Sequence, residues 1–277
     1  MTTDEFIRNA INEDIGEGDF TSEACIPADA VGRARMIIKE DGILAGTGIA
    51  ESIFHHIDAN LQVKTLIADG SPVKVGDIAM TVSGPVRSIL KAERLALNSI
   101  QRMCGIATLT NKVAKKLEGL KTKVLDTRKT TPGIRFLEKM AVKTGGGENH
   151  RFGLYDMMMI KDNHIDYAGS VENAINLCDD FRKQNNLNIK LEVEARNLEE
   201  VSRILAVGKV DRIMLDNFSH EDLRKAVEMI GDKFETEASG NITIDTARSY
   251  AECGVDYISM GALTHSARGL DISLKAY

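Results

Sequence analysis

From about residue 120 onward, short apolar, β-prone runs alternate with stretches of helical period. The runs are KVLDT from Lys123, MMMIKD from Met157, IKLEVE from Ile189, DRIMLD from Asp211, FETEAS from Phe234 and VDYISMG from Val255. Between them lie helical patterns over 171–183, 197–206, 220–230 and 244–252. Such alternation predicts βαβ units and a parallel sheet, because parallel strands need crossover connections. The count of units fits a TIM-like α/β barrel of about six to seven parallel strands better than an open doubly wound sheet. No G-x-G-x-x-G turn follows any of the strands, which argues against a dinucleotide fold.

The N-terminal part has another texture. Residues 4–13 carry Phe6, Ile7, Ala10 and Ile11 at helical spacing, and a Gly-Asp-rich turn follows at Gly16 to Asp19. Residues 32–39, 61–68 and 78–82 read as strands, and Ile49, Ile53, Phe54 and Ile57 mark a short helix. A long helix over 88–104 places Ile89, Ala92, Ala96, Ile100 and Met103 on one stripe, with Arg94 and Arg102 off it. The expectation is a separate N-terminal α+β domain, over 1–107, followed by the barrel over 108–264.

Composition narrows the function classes. The chain has 277 residues and a net charge of −6, so nucleic-acid binding, which favours a basic surface, is not expected as its main task. Cys25, Cys104, Cys178 and Cys253 lack C-x-x-C spacing and read as buried free thiols. No apolar run is long enough to span a bilayer, and the acidic start, Met1 to Asn12, lacks the pattern of a signal peptide. A cytoplasmic protein is expected.

The strand ends carry the chemistry. They read Asp126-Thr127-Arg128-Lys129, Lys161-Asp162-Asn163-His164, Glu194, Asp216-Asn217, Ser239-Gly240 and Gly261. In an α/β barrel all C-terminal strand ends converge on one mouth, where active sites sit. Arg128, Lys129, His150, Arg151 and Lys161 would supply five cations there, on an otherwise acidic chain. Arginine binds two oxygens of a carboxylate or phosphate at once, and lysine acts as a point charge. A small polyanionic ligand is implied. Glu194 and Asp216 end consecutive strands; they would meet Mg²⁺, ribose hydroxyls, or Lys129 and Lys161 as salt bridges. Alternation alone does not separate Glu192 from Glu194. Ser239-Gly240, ahead of a helix starting near Thr243, and Gly261 in the next loop suit a phosphate cradle.

Several segments together resemble the quinolinate phosphoribosyltransferase family: Glu93-Arg94-Leu95-Ala96-Leu97-Asn98, Gly105-Ile106-Ala107-Thr108, Asp126 to Gly133 (DTRKTTPG), Gly145-Gly146-Gly147 to His150-Arg151, Lys161 to His164 (KDNH), Leu215-Asp216-Asn217, Glu237-Ala238-Ser239-Gly240 and Ile258-Ser259-Met260-Gly261. Asn241 departs mildly, standing where a glycine often follows Ser-Gly. The resemblance implies an N-terminal α/β sandwich joined by the C-terminal tail, 265–277, and an α/β-barrel catalytic domain. It implies transfer of phosphoribosyl from phosphoribosyl pyrophosphate to quinolinate, with Mg²⁺, giving nicotinate mononucleotide, pyrophosphate and CO2. Arg128, His150, Arg151 and Lys161 would hold the quinolinate carboxylates, with Lys129 near the junction of the substrates. Arg94 would enter the site of a neighbouring subunit, in a homodimer or a hexamer. Glu194 and Asp216 would face ribose and magnesium, and Ser239, Gly240 and Gly261 the 5-phosphate. Lys161 or Lys129 would guard decarboxylation. The rival readings are a relative acting on another base, a Schiff-base aldolase using Lys161, and a non-catalytic anion binder.

Overall fold

The computed structural model describes residues 2–277. The chain opens with α1 (Thr3–Ile15), α2 (Phe20–Cys25), β1 (Val31–Ile38), β2 (Gly42–Ile43), α3 (Thr47–Ile57), β3 (Gln62–Thr65), β4 (Pro72–Val73), β5 (Ile78–Pro85) and α4 (Val86–Lys116). It continues with β6 (Lys123–Leu125), α5 (Arg135–Thr144), β7 (Met157–Ile160), α6 (Asp162–Ala168), α7 (Val171–Gln184), β8 (Lys190–Ala195), α8 (Leu198–Val207), β9 (Arg212–Asp216) and α9 (His220–Ile230). The last elements are β10 (Glu235–Ser239), α10 (Ala247–Ala251), β11 (Tyr257–Ser259), α11 (Ala262–His265) and β12 (Ile272–Ala276). All six strands expected beyond residue 120 are present. No helix among the described residues is long and apolar enough to cross a membrane.

Two units form. The first comprises residues 2–111, 130–146 and 263–277. Its antiparallel sheet has the order β12-β1-β5-β3, with Met36 opposite Met80 and Leu274 opposite Met36. Met36, Ile38, Ile53, Phe54, Met80, Val82 and Ile100 are buried. The C-terminal tail joins this sheet as β12. Thr2 and Glu5 form a reciprocal capping box that starts α1. Asp69 accepts from the N–H groups of Gly46 and Thr47 and so caps α3 from a distance.

Segment 130–146 groups with this first unit, although it lies inside the 108–264 span expected for the barrel. A buried ion pair ties it there. Glu138 is fully buried, and Arg102 donates to its Oε1 from Nη2 at 2.7 Å and from Nε at 3.0 Å. Arg102 also donates to the carbonyls of Ala267 and Thr264. Its place off the apolar stripe therefore has a structural cause. Thr131 donates to Glu138 from both N–H and hydroxyl.

The second unit comprises residues 112–129 and 147–262. Its six strands are parallel, in the order β6-β11-β10-β9-β8-β7. The ladder does not close, since β6 and β7 are its edges. A single bridge, Leu125 to Glu148, adds the stub of a seventh strand beside β6. The sheet is nonetheless strongly curled. His150, two residues beyond that stub, reaches side chains of β10 and β8, which lie two and four places from β6 along the sheet.

Candidate active site

Strand parity sets the site. On β8, Leu191, Val193 and Ala195 alternate with Glu192 and Glu194, so the two carboxylates share one face. Register places Glu192 opposite Arg212, Glu194 opposite Met214, and Asp216 opposite Ser239. The curled sheet therefore encloses a polar column. Glu192, Arg212 and Glu237 form a deep layer, and Glu194, Asp216 and Ser239 lie nearer the strand ends.

Near the strand ends, Lys161 Nζ lies 3.3 Å from Glu194 Oε2. Burial raises the Glu194 pKa; Lys161 opposes this, and the nearby charge of Asp216 adds to it. Asp216 accepts from Asn217 Nδ2 at 2.6 Å. Two neighbouring, partly desolvated carboxylates that repel each other fit a hard cation with oxygen ligands. Arg151 is half-buried and donates to the carbonyl of Met157 at 3.1 Å. Burial lowers its guanidinium pKa, and so does the like charge of Arg128. Arg128 and Lys129 are exposed. Arg128, Arg151, Lys161, Glu194, Asp216 and Ser239 all belong to this second unit.

The loop after β10 is tightly built. Gly240 has φ +101°. Asn217 and Asn241 also adopt left-handed backbone, at φ 56° and 50°, a region asparagine tolerates better than most residues. This accounts for an asparagine at 241 where a glycine was anticipated. The helix expected near Thr243 begins instead at Ala247. A turn precedes it, held by the Thr243 N–H donating to Thr246 Oγ1 at 3.0 Å. The Ser239-Gly240 loop therefore offers backbone N–H groups without a helix directly behind it.

His150 is the main departure from the sequence reading. It was expected as a cation facing substrate, but its side chain is 4% exposed. Nε2 lies 3.0 Å from Glu192 Oε2 and 3.3 Å from Glu237 Oε2. Nδ1 accepts the backbone N–H of Arg151 at 2.7 Å. Both ring nitrogens thus meet protein groups. Arg212 Nη1 lies 2.9 Å from Glu237 Oε2, its fork reaches Glu235 Oε2, and its guanidinium stacks 4.2 Å from the centre of the Tyr257 ring. Buried Asp126 accepts the His150 N–H at 2.9 Å.

The cluster binds a proton more tightly than a free imidazole does. Burial alone would lower the His150 pKa, but Glu192 and Glu237 outweigh it and push it up to about 9. Burial and the charge of Glu237 push Glu192 up to about 7. With Arg212 balancing Glu237, a proton bound at this cluster offsets the charge of Glu192. Nδ1 faces an N–H donor, so the ring's own proton sits on Nε2 and the further proton belongs with the carboxylates. His150, Glu192 and Glu237 are spaced closely enough to hold a metal ion. An Nε2 that carries the ring proton has no lone pair for one, and Arg212 Nη1 already pairs with Glu237, so the geometry favours an ionic cluster over a metal site.

Sequence reasoning assigned no role to Arg212 or Glu237 and left Glu192 unresolved. The available signal was charge at alternate positions inside otherwise apolar runs. Arg94, in the first unit, is 65% exposed and has Glu93 Oε1 at 3.8 Å. Among the cysteines, Cys104 and Cys253 are buried, but Cys25 is exposed and Cys178 half-buried; all four are free.

Comparison with known proteins decides the family. Residues 106–275 match the model described as "Quinolinate phosphoribosyl transferase, C-terminal domain", and residues 19–104 match the corresponding N-terminal domain. The chain belongs to the quinolinate phosphoribosyl transferase family. It is 47% identical over 284 residues to the chloroplastic "Nicotinate-nucleotide pyrophosphorylase [carboxylating]" of Arabidopsis thaliana, covering 97% of this chain and 81% of that one. It is 47% identical, with the same coverage, to "Quinolinate phosphoribosyltransferase [decarboxylating] 1b" of Nicotiana tabacum. The solved nicotinate-nucleotide pyrophosphorylase of Francisella tularensis superposes with a TM-score of 0.93 at 40% identity, over 100% of this chain and 98% of that one. The family's two-domain arrangement thus matches an α/β fold with an antiparallel N-terminal sheet and a parallel sheet after it.

Proposed function

We propose that this chain transfers phosphoribosyl from phosphoribosyl pyrophosphate to quinolinate with loss of CO2, giving nicotinate mononucleotide and pyrophosphate. The observation that carries the reading is the electrostatic order at the strand ends of the second unit. Arg128 and Arg151 lie close enough to depress the Arg151 pKa. Beside them on the same sheet, Lys161, Glu194 and Asp216 form a mixed group. Two cations held together against their own repulsion suit a dianionic aromatic acid.

In this reading Arg128, Arg151 and Lys129 bind the carboxylates and orient the ring nitrogen towards ribose C1. Pyrophosphate departure leaves a cationic sugar, which Glu194 and Asp216 stabilise electrostatically. The ring nitrogen then bonds to C1; the adjacent carboxylate leaves as CO2, its bonding pair stays on the ring carbon beside the positive nitrogen, and that carbon takes a proton from water. That carboxylate must be gripped without strong ground-state neutralisation. Lys161, its charge shared with Glu194, meets this requirement. Ser239, Gly240 and Gly261 would hold the 5-phosphate through backbone N–H groups. Mg²⁺, held by Glu194 and Asp216 directly or through water, would supply positive charge against the departing pyrophosphate.

The reading includes a homodimer, alone or as the unit of a hexamer, in which exposed Arg94 completes the neighbouring copy's site. It also includes a cytoplasmic location, which the four free cysteines support. The deciding experiment is turnover of purified protein with quinolinate, phosphoribosyl pyrophosphate and Mg²⁺. Equal yields of nicotinate mononucleotide and CO2 are expected; binding of both substrates without turnover would refute the reaction.

A further inference from the structure

We propose that Glu192 and Glu237 are positioning residues for Arg151, acting through the His150 ring. The inference rests on the reading that Arg151 binds a carboxylate of the substrate. The Arg151 N–H is held by His150 Nδ1 at 2.7 Å, and the preceding N–H is held by buried Asp126 at 2.9 Å. The backbone leading to the guanidinium is thus pinned at two consecutive amides. Nδ1 accepts only in the tautomer with its proton on Nε2, and the tautomer of a histidine is set by what its other nitrogen meets. Here Nε2 meets carboxylate oxygens of two different strands, at 3.0 and 3.3 Å. An ionised carboxylate accepts and does not donate; Glu237, kept ionised by Arg212, selects that tautomer, and Glu192 beside it helps fix the tilt of the ring. Arg212 in turn locks Glu237 at 2.9 Å. A deep ionic layer therefore aims an arginine at the mouth of the sheet, and His150 serves as the link between them.

Isosteric amides discriminate this role from mere packing. In a protein carrying Glu192→Gln and Glu237→Gln, side-chain NH2 groups can donate to Nε2, move the ring proton to Nδ1 and set it against the Arg151 N–H. The KM for quinolinate is expected to rise about 10-fold or more, since small misplacements of a binding group are costly, while the KM for phosphoribosyl pyrophosphate stays within about twofold. His150→Asn, whose Oδ1 replaces Nδ1 as acceptor, is expected to keep a lower quinolinate KM than His150→Ala. Equal shifts in both KM values, or no advantage of Asn over Ala, would overturn the proposal. Arg151→Ala separates it from the reading beneath: if that variant leaves the quinolinate KM unchanged, the substrate assignment of Arg151 fails. If only the amide variants are silent, the positioning role alone fails. Should the amide variants not fold, 15N-histidine NMR of the unaltered protein decides. An unprotonated Nδ1 on His150, assigned by its loss in His150→Asn, supports the proposal, and a protonated one ends it.

Discussion

Asn217 and Gly240 approach so closely that a Cβ on Gly240 would lie 2.2 Å from Asn217 Oδ1. The Asn217 N–H donates to the carbonyl of Ser239 at 2.9 Å, and Asn241 Nδ2 donates to the same Asn217 Oδ1 at 3.3 Å. The ends of β9 and β10 are thus tied into one loop pair that only glycine permits at 240. Gly240→Ala is expected to raise the KM for phosphoribosyl pyrophosphate roughly 10–100-fold through displacement of the loop. Quinolinate binding, measured by calorimetry, should change little. An unchanged KM for phosphoribosyl pyrophosphate would detach this loop from the phosphate.

Lys161→Ala removes the cation beside Glu194. A loss of roughly 10²–10³ in kcat is expected, the scale of deleting one electrostatic stabiliser, with nicotinate mononucleotide and CO2 falling together. Normal turnover would take Lys161 out of the mechanism.

The Arg102–Glu138 pair sets stability rather than chemistry. Glu138 is fully buried, and Arg102→Ala would leave its carboxylate without that partner. A cost of about 3–5 kcal/mol is expected in urea unfolding. Changing both residues to apolar ones of similar volume should cost much less. Equal costs for the single and double changes would contradict this.

The His150 cluster makes stability depend on pH. Its folded pKa, about 9, lies above the unfolded value of 6.5, so the folded state binds more protons within that window. Its contribution is fully present below pH 6.5 and is lost as pH rises through 9. The urea midpoint should therefore fall from pH 6.5 to 9, and His150→Asn should flatten the fall. A midpoint that rises across the window would reverse the assignment.

Two glycines should respond in opposite directions. A Cβ at Gly105, inside α4, would lie 1.9 Å from the carbonyl oxygen of Arg268. Gly105→Ala is expected to cost about 1–3 kcal/mol or more, because backbone must move. Gly48, in α3, has nothing within 4 Å of such a Cβ. Gly48→Ala should stabilise by about 0.5–1 kcal/mol. Thermal unfolding of both variants tests the pair.

The six strands beyond residue 120, the helices that follow β7 to β9 over 171–183, 197–206 and 220–230, and the long helix were legible in the sequence. Periodicity and turn residues act over a few positions, and each is written locally. Lys123 to Leu125 and Arg212 to Asp216 read as strands from their own composition. The family followed from motifs in order along the chain. What local pattern does not encode is which side chains meet across a curled sheet. Parity put Glu192 and Glu194 on one face, but only tertiary structure set Glu192 against His150 and Glu194 against Lys161. It also buried His150, read from sequence as a mouth cation, with two carboxylates from different strands against Nε2. The same holds for segment 130–146, which the Arg102–Glu138 pair ties to the N-terminal unit. A buried charge seeks its partner in space, and the distance along the chain to that partner carries no local signal.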